Sequence, residues 1–164
     1  MRRIKLSEVE EKNPINTMAE HFFRLPRVTC SLAPLWSGFD PMEVPNVLEW
    51  MVVLERRDTT LEGHFVRLMG ESVKNLFGAN LTGKALSESL SDADLEQRWQ
   101  DLNAVAEARQ PSFHISKVPL KQREFVTIYR GCFPFCDEKG DIVRLVIVAA
   151  PAGDVSVAQA RITD

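Results

Sequence analysis

The chain has 164 residues, 45% of them hydrophobic and 26% charged, with 20 Lys and Arg against 23 Asp and Glu and a formal charge of −3. That composition is that of a soluble globular domain with extensions. It excludes a general electrostatic attraction to nucleic acid or to an anionic membrane. No apolar run approaches the roughly 18 residues a membrane span needs, and the basic opening Arg2-Arg3-Ile4-Lys5 leads into no apolar leader core. Cys30, Cys132 and Cys136 are an odd set without metal-type clustering, which predicts reduced thiols and a cytoplasmic location. The three histidines have no short ligand spacing, so no metal site is expected.

Residues 1–12 are charged and aperiodic and read as a mobile arm. Asn13-Pro14 is an N-cap followed by proline at the first helical position. Ile15, Met18, Phe22 and Leu25 then form an apolar stripe that stops before Pro26. Residues 26–40 read as a connector. Asp40-Pro41 repeats the cap-then-proline signature and predicts a short helix to about Leu48. Trp50–Glu55 and Gly63–Met69 read as strands around a polar turn, with His64, Val66 and Leu68 on one side of the second. Glu71–Phe77 predicts a helix ended by Gly78. Ser91-x-x-Asp94 opens the clearest helix, running to about Arg109 with Leu95, Trp99, Leu102 and Ala106 on its inner face. Ser112–Val118 is a third strand, on which His114 alternates with Phe113 and Ile115 and reads as exposed.

The stretch Glu124–Ala150 then forms a long hairpin around Asp137-Glu138-Lys139-Gly140-Asp141. Its second strand, Ile142–Ala150, is apolar on both faces except for Arg144 and must be covered on both. Cys132 and Cys136, four apart on its first strand, lie about 13 Å from each other by strand rise and cannot bridge. The tail after Pro151 reads as frayed. The fold class is therefore α+β: a five-stranded antiparallel sheet with helices on its inner face and an N-terminal helical extension. Residues 1–38 are expected to form the arm, helix and connector, 39–150 the domain, and 151–164 the tail.

Four passages resemble the PAS domain family. They are Phe39-Asp40-Pro41 with Pro45-Asn46-Val47-Leu48, Phe65-Val66-Arg67-Leu68-Met69-Gly70, Leu76-Phe77-Gly78-Ala79-Asn80-Leu81-Thr82-Gly83-Lys84, and Phe133-Pro134-Phe135-Cys136-Asp137-Glu138-Lys139-Gly140. The third resembles a bacterial subfamily often found as single-domain proteins. The resemblance implies a curved sheet, a small-molecule pocket between it and its helices, and signalling through an outer face covered by the N-terminal helix or a second subunit. Ile15, Met18, Phe22 and Leu25 would form that cover or a partner and homodimer interface.

Two cofactor chemistries known in such domains are disfavoured. Leu81 stands where a flavin-adduct photoreceptor needs its cysteine, and the helix of about 92–109 carries no histidine to ligate haem. The cofactor is otherwise unknown. If Pro134 faces the pocket, as the resemblance implies, alternation turns Cys132, Arg130, Ile128 and Val126 inward, with Leu145, Ile147 and Ala149 across from them. Arg130 would then need an anionic partner, either a ligand carboxylate or phosphate or an Asp or Glu of the helices. His64, with Val66 and Leu68 beside it, is a pocket residue or a hydrogen-bonded core histidine. Trp99 stacks on a ligand or belongs to the core, and Cys132 is a buried thiol.

The expected function is a non-catalytic, stand-alone sensory or regulatory module. It would bind a small ligand or a signalling partner such as a histidine kinase and act in trans, without nucleic acid or membrane. The alternatives are a small α+β enzyme acting on an apolar or acidic molecule, and a ligand-free structural adaptor.

Overall fold

The computed structural model describes residues 1–27, 31–88, 92–118 and 125–153, the side chains of 92–94 excepted. Cys30, the Ser91-x-x-Asp94 signature, Glu124 and the tail from residue 154 lie outside the described residues. The elements in chain order are β1 (Arg2–Ile4), α1 (Pro14–Arg24), α2 (Pro45–Leu48), β2 (Met51–Arg56), β3 (His64–Met69), α3 (Glu71–Phe77), α4 (Asp92–Ala108), β4 (Ser112–Lys117), β5 (Thr127–Cys136) and β6 (Ile142–Pro151). The strands form one antiparallel sheet in the order β1-β4-β5-β6-β2-β3.

Among the described residues the sheet has six strands rather than five. Arg2, Arg3 and Ile4, expected in a mobile arm, pair with Ile115, His114 and Phe113. β1 thereby covers the free main-chain groups of β4, which would otherwise be an edge. Ile4 and Val9, scattered in a charged segment, are buried there. At the other edge, the Val66 N–H donates to the Lys84 carbonyl at 3.0 Å and Gly83 N–H donates to the Val66 carbonyl at 2.7 Å.

Local chemistry explains most boundaries. The Asn13 side chain accepts from the Ile15 N–H at 3.1 Å and starts α1 with Pro14 at its first position. The single helix expected from Asp40-Pro41 is broken into a turn at Pro41–Glu43 and a fresh start at Pro45. Pro45 has no N–H to continue the first turn. At the hairpin, Asp137 Oδ1 accepts from the N–H groups of Lys139 and Asp141 at 3.0 and 2.9 Å. Gly140 supplies the left-handed residue, φ 86°, that closes it.

Alternation along β5 divides the core in two. Gly131, Phe133 and Phe135 face α1: the Phe22 ring lies 5.5 Å from that of Phe133 and 5.6 Å from that of Phe135. Trp36 and Phe39 of the connector complete this aromatic cover over Phe135. Arg130, Cys132 and Pro134 face the other way, toward α4, with Ala149, Ile147 and Leu145 opposite them on β6. Contacts from both α1 and α4 cover β6, as its two apolar faces require.

Candidate functional site

The face beneath α4 carries polar side chains where a core would carry apolar ones. β4 contributes Ser112 and His114, directly opposite Cys132 and Arg130 of β5, and all four are buried. From above, α4 lowers Asp101, whose Oδ1 lies 3.9 Å from His114 Nε2. That is too long for a hydrogen bond. Arg130 is 3% exposed. Among the described residues its Nη1 meets only the weak acceptor Met1 Sδ, at 3.6 Å. Among the described residues, Arg130 Nε, Asp101 Oδ2 and Ser112 Oγ are buried without hydrogen-bond partners.

The electrostatics follow from burial. It pushes the Cys132 thiol up to about 12, against the pull of Arg130, so Cys132 is protonated and neutral. It lowers the pKa of His114, with Asp101 opposing and Arg130 assisting, so the imidazole is neutral at pH 7 and its contact with Asp101 is not an ion pair. Burial also lowers the pKa of Arg130, with Cys132 and Asp101 opposing. A guanidinium starts high enough to keep its proton.

A second polar corner lies near the β2–β3 turn. His64, fully buried, donates Nδ1–H to the Thr60 carbonyl at 2.6 Å, and its Nε2 has no partner among the described residues. Arg56, opposite it, donates to the Ile142 carbonyl at 3.4 Å, and its Nε has no partner among the described residues. The same turn holds α4, because the Thr59 carbonyl accepts from Trp99 Nε1 at 2.6 Å and from Asn103 Nδ2 at 3.1 Å. Burial is the main cause lowering the pKa of His64, with Arg56 adding to it.

Arg130, Cys132, Ile147, His64 and Val66 lie on the face toward α4. Cys132 sits opposite Ile147, while His64 and Val66 lie across the sheet on β3. Leu68 does not join them. The register slips between Val53 and Leu54, and the bulge leaves Arg67 unpaired and free to meet Glu55 at 2.6 Å. Leu68 is thereby turned to the opposite face, 40% exposed. Trp99 sits at the rim, its indole committed to Thr59.

His114, expected to be exposed, is buried. Phe113, not His114, faces α1, with its ring 5.8 Å from that of Phe133. As an interface with a partner or second copy, the α1 stripe is corrected too. Ile15, Met18 and Phe22 are at most 1% exposed and packed on the chain's own sheet, with Leu25 beside them. Sequence reading missed Asp101, Ser112 and His114. The alternating polar pattern Ser112-x-His114 normally marks a solvent face, and nothing local shows that α4 covers it.

One sheet covered by a long helix on one face and an N-terminal helix on the other defines an α+β domain. Residues 16–146 match the sequence profile of the PAS domain, and the chain belongs to that family. It is thus a sensory or regulatory module of a kind that is generally not catalytic. Among solved structures it resembles the PAS domain of Bordetella pertussis BvgS, with TM-score 0.52, 22% identity, 77% of this chain and 96% of that one covered. It also resembles a light-oxygen-voltage domain studied with a flavin analogue, with TM-score 0.51, 10% identity, 74% and 90% covered. These likenesses concern the fold. No curated protein matches the sequence significantly. Among the described residues no helix is long and apolar enough to cross a membrane, and no group of His, Cys, Asp and Glu is disposed to hold a metal ion.

Proposed function

We propose that this PAS domain senses a small molecule held between α4 and the inner sheet face, with Arg130 as its polar anchor. One observation carries the reading: a guanidinium 3% exposed whose Nε has no partner among the described residues. Leaving an N–H of a buried guanidinium without a partner costs about 1–3 kcal/mol or more, and a bound acceptor offsets that cost. Leu81 offers no nucleophile for a flavin adduct, and α4 offers no imidazole for haem, which disfavours those two cofactor chemistries.

Occupancy would be reported through β5 and β6 to α1, which packs on the reverse side of the same two strands. A histidine kinase or a second copy of this chain in the cytoplasm would read the change. Native mass spectrometry of freshly purified protein tests the proposal. A retained molecule, lost in Arg130→Met, supports it. A bare chain, with hydrogen exchange in residues 15–25 indifferent to a metabolite extract, would leave the structural-adaptor reading instead. Turnover of any extract component, abolished in His64 or Arg130 variants, would mark the enzyme alternative.

A further inference from the structure

Resting on that reading, we infer that the molecule beneath α4 is net neutral and presents a hydrogen-bond donor beside an acceptor, as an amide, lactam or zwitterion edge does. The seam offers unused groups of both kinds. Among the described residues, Arg130 Nε–H and the Ser112 hydroxyl have no acceptor and Asp101 Oδ2 has no donor. They come from three elements, β5, β4 and α4, and the two charged groups act on each other only through space.

The charges decide the class. A lone carboxylate would satisfy Arg130 and Ser112 but lie against the Asp101 carboxylate. A lone ammonium would satisfy Asp101 and face Arg130. Like charges at such range in a dry site cost several kcal/mol. A neutral group with adjacent C=O and N–H matches both kinds of unused atom and adds no net charge to a seam that already contains one cation and one anion. The neighbours do not upset this balance. His114 is neutral, Cys132 is a protonated thiol, Arg3 is exposed, and Arg98 is engaged in interactions of its own.

The test uses the full ¹⁵N-labelled chain and three probes of matched size: acetamide, acetate and methylammonium. The readout is the Arg130 Nε–H resonance. Acetamide is expected to shift it saturably with an apparent Kd about tenfold or more below that of either ion, a difference of about 1.4 kcal/mol. Asp101→Asn, close to isosteric, removes the opposing anion and should move acetate ahead of acetamide. Tighter binding of acetate or methylammonium to the unaltered protein, or an order unchanged by Asp101→Asn, overturns the inferred class while leaving ligand sensing intact. No response to any probe, from a chain that native mass spectrometry shows to be empty, overturns both, because the seam is then closed.

Discussion

Asn13 Nδ2 donates to the Pro151 carbonyl at 3.1 Å, so the side chain that caps α1 also ties it to the last residue of β6. The residue is 3% exposed, and both bonds are shielded from water. Asn13→Ser keeps the capping oxygen and loses the bond to Pro151, at an expected loss of about 1–2 kcal/mol. Asn13→Ala loses both bonds, with an expected loss of about 2–3 kcal/mol. Urea unfolding of the two variants measures this, and equal losses would rule out the double role.

Acidification should weaken the fold before the carboxylates titrate. His64 and His114 both have folded pKa values lowered chiefly by burial, against about 6.5 when unfolded. As pH falls through 6.5 the unfolded chain takes up protons that the folded one refuses, so stability drops. Each histidine contributes at most about 1.4 kcal/mol per pH unit. Glu55 and Asp58 have lowered pKa values, so their contribution fades only at lower pH. Urea midpoints at pH 7.5 and 5.5 should show the loss, and His64→Asn should reduce it. Greater stability at pH 5.5 would contradict the neutral, buried state of the imidazoles.

Cys132, with a thiol pKa pushed up to about 12 by burial, should resist alkylation in the native protein. Peptide mapping after iodoacetamide at pH 8 should find it unmodified until denaturant is added. Rapid native labelling would mean that the seam opens to solvent.

Gly70 stands where β3 meets α3. A Cβ there would collide with the carbonyl oxygens of Leu48 and Glu49. Its φ of −66° is ordinary, so the requirement is for space rather than for backbone freedom. Gly70→Ala should cost about 1–3 kcal/mol. Gly38→Ala, with nothing within 4 Å of the added atom, should stay within about 0.5 kcal/mol of the parent. A neutral Gly70→Ala would contradict the close approach.

Phe22 and Phe23 are adjacent, yet 1% and 57% exposed. Phe22→Ala should lose about 3–5 kcal/mol in thermal or urea unfolding, and Phe23→Ser almost nothing. A large loss in the second variant, falling as protein is diluted, would reveal a partner on the exposed side of α1.

Sequence alone determined the order of nearly all the elements, because caps, prolines and hairpin chemistry act over a few residues. Asn13-Pro14, Gly78 and Asp137 with Gly140 each set a boundary through contacts with immediate neighbours. With Pro134 set inward by the family resemblance, alternation also put Arg130 and Cys132 on that face, since side-chain direction along a strand is a local property. Tertiary structure decided everything that depends on register or on what covers a face. β1 joined the sheet because β4 had an open edge, a bulge at Arg67 reversed Leu68, and α4 turned the Ser112–His114 face into an interior. Asp101 comes beside His114 and within electrostatic reach of Arg130 only because a helix and two strands distant in sequence come together, and no local pattern encodes that meeting.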